Sequence, residues 1–208
     1  IFGPINLTLE AGEVLIVRGP PGAGKSTFLH VLYGDLLPLT GDIFLDNLPL
    51  ASIDQLWWRA QVSYRNQGHA VFPGTLRDAF QHRVPDITDE RIVTCLRDVG
   101  LGFLYETVPS LLDEDSSSSH FSAHNDFKGL LKLALSIANA GNIIILDDPS
   151  ATLGAVARNS LYKLLNCLAE NGTTIICATD DPEIIKGGTQ FLDLGQIEEK
   201  EGTKNHRT

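Results

Sequence analysis

The 208-residue sequence predicts an α/β fold with a mostly parallel central sheet. Three observations carry that expectation. Short, predominantly apolar runs at Val14–Val17, Ile143–Leu146 and Thr173–Ala178 have the texture of strands buried on both faces. Segments of helical periodicity alternate with them, as crossovers between parallel strands require. A glycine-rich stretch, GPPGAGKST at residues 19–27, sits where the first apolar run gives way to a helix.

Composition sets the bounds. The chain is long enough for a full hydrophobic core, and 43% hydrophobic residues is a globular value. No apolar run approaches the roughly 20 residues of a spanning helix. The net charge of −10 argues against a nucleic-acid surface, which needs a basic stripe. No secretory signal opens the chain. It contains no Met, as expected of a domain cut from a longer polypeptide. Cys95, Cys167 and Cys177 are widely spaced, lack a CxxC pairing, and read as buried thiols in a reducing compartment.

Gly19, Gly24, Lys25 and Ser26 satisfy G-x-x-x-x-G-K-[ST], a phosphate-binding loop. The glycines let successive backbone N–H groups turn inward around a phosphate. Pro20, Pro21, Gly22 and Ala23 form the body of the loop, and Thr27 opens the helix Thr27–Leu32, whose N-terminus faces the anion. Lys25 reaches the β- and γ-phosphates, and the Ser26 hydroxyl ligates Mg²⁺. The expected ligand is a nucleoside triphosphate with Mg²⁺.

In chain order, Ile5–Leu9 and Val14–Val17 read as strands joined by the turn Glu10–Glu13, an N-terminal antiparallel β element. Asp42–Leu45 is a short strand, Ile53–Ala60 a short helix, and Gln61–Tyr64 a strand leading into Arg65, Asn66 and Gln67. Thr75–Gln81 and Asp89–Val99 carry helical periodicity, with Thr88 or Asp86 as cap of the second. Asp113–Ser119 is polar and low in complexity, a loop. Helices follow at about Phe127–Asn139 and at Ala155–Glu170, and Phe191–Leu194 with Gln196–Glu198 forms a terminal hairpin before the tail Lys200–Thr208. The division is a core of residues 1–75 and 139–208, with a helical subdomain inserted at 76–138.

With these motifs in place the chain resembles, over nearly its whole length, the ATP-binding domain of ABC transporters, a phosphate-loop (P-loop) NTPase fold. Ile5 to Glu13 is similar to the strand and turn before the family's phosphate loop. Gln67 stands at the Q-loop position, which implies contact with Mg²⁺ and the attacking water. Val71–Leu76 is similar to a pattern of exporter-type members, including type I secretion transporters. Ile143–Asp147 is similar to the Walker B strand, which makes Asp147 a Mg²⁺ ligand through water. The resemblance implies a membrane transporter's domain on the cytoplasmic face of the membrane. Its implied partners are a transmembrane domain, on the same or another polypeptide, and a second nucleotide-binding domain in a homo- or heterodimer. The family's adenine-stacking aromatic would lie upstream of Ile1.

Four positions depart from the family pattern. Asp148 replaces the catalytic Glu, one methylene shorter, and a misplacement of ~1 Å can cost about 100-fold in rate. Asp180 replaces the switch histidine; turned inward, it would repel a γ-phosphate by roughly 4 kcal/mol at 4 Å and an effective dielectric of 20. An outward Asp180, or one capping the helix at Pro182–Lys186, is the other reading. Residues 123–127 (Ala-His-Asn-Asp-Phe) occupy the signature loop without its paired glycines, so either Asn125 or Asp126 caps the next helix, or Asp126 brings like charge to a phosphate. Gly154 replaces the D-loop aspartate. The resulting expectation is an ATP-binding domain with weak or absent hydrolysis. The alternatives are an active ATPase powering export with Asp148 as its base, and a phosphate-loop protein unrelated to transport. Gln67, the Phe72–Thr75 pattern and the acidic charge disfavour the last.

Overall fold

The computed structural model describes residues 3–65, 74–107, 110–115, 126–139 and 141–195. Five strands form one parallel sheet: β1 (Val14–Arg18), β4 (Val62–Arg65), β5 (Ile143–Asp147), β6 (Thr174–Ala178) and β7 (Gln190–Asp193), in the order β4–β5–β6–β1–β7. Register aligns Ile16 with both Cys177 and Phe191, and Leu146 with Cys177. A small antiparallel hairpin, β2 (Phe44–Leu45) with β3 (Leu48–Pro49), stands apart from it. The mostly parallel α/β architecture is therefore present.

Successive side chains of a strand point to opposite faces, so each apolar run feeds two cores. On one face Leu15, Val17, Ile145 and Ile176 pack with Phe28 and Leu29 of α1 (Lys25–Tyr33) and Trp58 of α2 (Gln55–Gln61). On the other, Ile16, Ile144 and Leu146 meet a helical layer: α3 (Leu76–Arg83), α4 (Asp89–Asp98), α5 (Gly102–Thr107), α6 (Phe127–Ile137) and α7 (Ala155–Glu170). Phe80 and Phe127 are among the largest fully buried side chains of that layer. Truncating either to Ala would cost about 3–5 kcal/mol.

Local signals set the helix starts. Thr75 and Asp78 form a reciprocal capping box at α3, Thr88 caps α4, and Asp54 caps α2. Asp181 caps α8 (Pro182–Lys186), with Pro182 in its first turn. No helix among the described residues is long and apolar enough to cross a membrane.

Several expectations need correction. Ile5–Leu9 is not a strand. Both edges of β1 are taken in parallel by β6 and β7, so no ladder remains for it. Ile5 and Leu9 instead lie against the α1-side core, which explains their alternation without pairing. The antiparallel element sits at residues 44–49. The helix expected from Ile53 begins at Gln55, because Asp54 is its cap and accepts from the Trp57 N–H at 2.8 Å. α5 has no counterpart among the expected elements. Cys95 and Cys177 are buried, but Cys167 is exposed on α7. Phe191–Leu194 forms most of β7, whereas Gln196–Glu198, the tail, and most of Asp113–Ser119 lie outside the described residues.

Candidate functional site

Residues 19–24 turn from the C-terminal end of β1 into α1. The Ala23 N–H donates to the Pro20 carbonyl at 3.1 Å, and the Phe28 N–H closes the first helical turn on the Gly24 carbonyl at 2.8 Å. Gly22 (φ 84°) and Gly24 (φ 93°) hold left-handed conformations that a side chain would strain. The α1 start carries no side-chain cap and no acidic residue in its first turn. Its orphan N–H groups, at the positive end of the helix dipole, thus face outward from a loop of small residues. Ser26 and Thr27 are exposed in that first turn.

The Lys25 ammonium folds back over the loop. It donates to the Gly19 carbonyl and pairs with Asp180 Oδ2 at 3.2 Å. Its side chain is only 17% exposed, against 70% for Asp180. Asp180 therefore reaches the phosphate-loop lysine from the solvent side, its carboxylate still largely exposed. It does not cap α8, where the Asp181 carboxylate accepts from the Glu183 N–H at 3.0 Å. The Tyr162 hydroxyl also donates to Asp181, at 2.8 Å.

Asp147 ends β5 and is buried. Asp148 follows at φ 43°, a left-handed conformation uncommon outside glycine, and its N–H donates to the Ala178 carbonyl at 2.8 Å. Burial raises the Asp148 pKa, and the charges of Asp147 and Asp180 push it the same way, while Lys25 and Arg65 oppose them.

Arg65 was not anticipated as a site residue. It ends β4 at 5% exposure, donates from Nη1 to the Pro149 carbonyl at 2.9 Å, and has a buried Nε without a hydrogen-bond partner among the described residues. Its buried guanidinium acts electrostatically on Asp147 and Asp148, without an ion pair to either among the described residues. Its signal was visible: one charged residue closing the short strand Val62–Arg65.

Asp126 sits at the start of α6 but does not cap it. Its Oδ1 accepts from the Gly154 N–H at 2.8 Å, at the N-terminus of α7. The two departures at 126 and 154 are thus in contact. Gln67 and residues 121–125 lie outside the described residues. The structure brings Gly19–Thr27 and Asp180 together, with Asp147 and Asp148 coupled electrostatically to that group. Ser26 and Asp147 offer oxygen donors only, a set that fits Mg²⁺.

A family profile described as "ABC transporter" matches residues 2–151. The chain is 25% identical over 199 residues to a multidrug resistance ABC transporter ATP-binding and permease protein of Lactococcus lactis, covering 95% of this chain and 34% of that protein. It is 30% identical over 184 residues to the hemin import ATP-binding protein HmuV of Rhodopseudomonas palustris, covering 85% of this chain and 66% of that one. It is 25% identical over 176 residues to the glutathione/L-cysteine transport system ATP-binding/permease protein CydD of Escherichia coli, covering 85% and 30%. Two of these relatives are about three times its length, so the chain spans about a third of each. A solved bacterial Atm1-family ABC exporter with ATP bound shares the fold, at a TM-score of 0.78 and 19% identity, over 88% of this chain and 33% of that one.

Proposed function

Since the chain belongs to the ABC transporter family, as an ATP-binding domain, we propose that it grips Mg-nucleotide at Gly19–Thr27 and turns it over weakly or not at all. The observation that carries the binding half is the uncapped start of α1 under a loop of glycines, with Lys25 held over it. In this reading the N–H groups of residues 22–27 cradle the phosphates, and Lys25 exchanges Asp180 for phosphate oxygen. Ser26, Asp147 and Gln67 hold the metal. When bound, Mg²⁺ neutralises phosphate charge and fixes the phosphate geometry.

The slow half rests on charge. Asp180 contacts the lysine that would hold the terminal phosphates, and it has no proton to donate there when ionised. Asp148 is a short replacement for the family's base, and Asp126 is occupied by Gly154. The reading extends to an exporter-type transporter, a transmembrane domain and a second nucleotide-binding domain as partners, the cytoplasmic membrane face, and residues 76–138 as a helical subdomain.

A second reading, an active ATPase with Asp148 as base, has one supporting observation. Burial raises the Asp148 pKa, which strengthens it as a proton acceptor. Binding is tested by titrating the chain with a fluorescent ATP analogue and Mg²⁺, beside Lys25→Ala. Saturable binding lost in the variant is the expected result; equal affinity in both removes the assigned role of Lys25.

A further inference from the structure

A cavity lies at the opposite end of the sheet from the phosphate loop. Ser63 is the second residue of β4, Asn142 leads into β5 and Thr173 leads into β6, so the cavity opens at the N-terminal edge of the parallel strands. The phosphate loop and Asp147 sit at the C-terminal edge, about 16 Å away for strands of this length. The cavity volume is about 450 Å³.

Its floor is apolar, from Ile144, Ile137 and Leu164, all buried. Its rim is rich in donors. The Lys163 ammonium, on α7, has no ion-pair partner among the described residues. The Arg91 guanidinium is fixed on the wall by one bond, from Nη2 to the Ile137 carbonyl at 2.8 Å. That bond leaves most of its five N–H donors for another acceptor. Asp98 is the one carboxylate in the lining among the described residues.

Ser63 adds a hydroxyl to the lining. It is 5% exposed, and the alternation of β4 turns it away from Val62 and Tyr64, which pack on the α1 side. Its hydroxyl therefore faces the cavity, a polar atom on the wall beside the two cations. Two cations against one carboxylate, on a chain of net charge −10, also run against the overall charge.

We infer that this cavity binds a small organic anion with an apolar body, its acid group between Arg91 and Lys163 and its hydrocarbon part against Ile144 and Leu164. The site is independent of the nucleotide site, so it neither requires nor competes with Mg-ATP.

Cys167 reports on it directly. This exposed thiol lines the cavity, whereas Cys95 and Cys177 are buried. The experiment follows the rate of Cys167 modification by a maleimide in the full chain, with hexanoate, 1-hexanol or inorganic phosphate added. Hexanoate is expected to slow modification saturably, about tenfold when it is about tenfold above its dissociation constant, by mass action. Hexanol and phosphate are expected to protect far less. Lys163→Gln, checked for an unchanged melting temperature, should weaken protection, and Mg-ATP should leave it unchanged. No saturable protection, or equal protection in Lys163→Gln, overturns the site. Equal protection by phosphate alone overturns the apolar half of the ligand, and displacement by Mg-ATP overturns its independence.

Discussion

The backbone N–H of Gly154 donates to the Asp126 carboxylate at 2.8 Å, and a Cβ at position 154 would stand 2.9 Å from Asp126 Oδ2. An acidic side chain near the start of α6 and the missing side chain before α7 are thus two halves of one contact. The φ of Gly154, −71°, is open to any residue, so the restriction is the carboxylate and not the backbone.

Asp126→Ala is therefore expected to destabilise the chain by about 1 kcal/mol, the typical cost of losing a helix N-terminal cap. Gly154→Ala should cost a similar amount in the native background and much less beside Asp126→Ala. Urea unfolding of the four proteins in the cycle measures the coupling. Additive effects would mean that the two positions do not interact.

Asp180→Asn should tighten Mg-ATP binding. Its carboxylate is 70% exposed, so the pair with Lys25 is worth no more than about 1 kcal/mol. The expected gain is about two- to fivefold in affinity, shrinking as salt is raised. Isothermal titration at two ionic strengths reads it, and weaker binding by the variant would contradict the role of Asp180.

Asp148 gives the stability a pH dependence of known sign. Its folded pKa is raised, chiefly by burial. The folded state then holds the proton more tightly than the unfolded chain. Stability is greatest below the unfolded value near about 3.9 and declines as pH rises through the raised one. Asp148→Asn should therefore melt higher than the native protein near neutrality, with the difference vanishing toward about pH 4. Melting curves across that range test it.

The thiols should separate by burial. Burial pushes Cys95 up to about 11 and Cys177 higher still, while Cys167 is exposed. One thiol is expected to react with Ellman's reagent in the native protein and all three in denaturant. Fast native reaction of a second thiol would contradict the packing.

The parallel sheet was legible because Val14–Val17, Ile143–Leu146 and Thr173–Ala178 are apolar on both faces, which only a covered strand needs. The phosphate loop was legible because its chemistry is local: the seven residues Gly19 to Lys25 set its turn and its lysine. Ile5–Leu9 misled because alternation reports one-sided burial, and pairing depends on which edges of β1 are free. Asp126 was read as a local cap, yet its partner is 28 residues away. The orientation of Asp180 was undecidable from its neighbours, since Asp181 competes for the same cap and takes it. Arg65 showed only as a polar end to a strand, and its burial depends on a partner 84 residues away, the Pro149 carbonyl.

The most direct test of the central reading is steady-state phosphate release from Mg-ATP by the native chain, beside Lys25→Ala and at nucleotide concentrations that saturate binding. The account predicts saturable binding in the native chain and phosphate release at or barely above the Lys25→Ala level. Rapid release that disappears in Lys25→Ala would contradict it, and would make Asp148 the base of a working ATPase that tolerates Asp180 beside its phosphate-loop lysine.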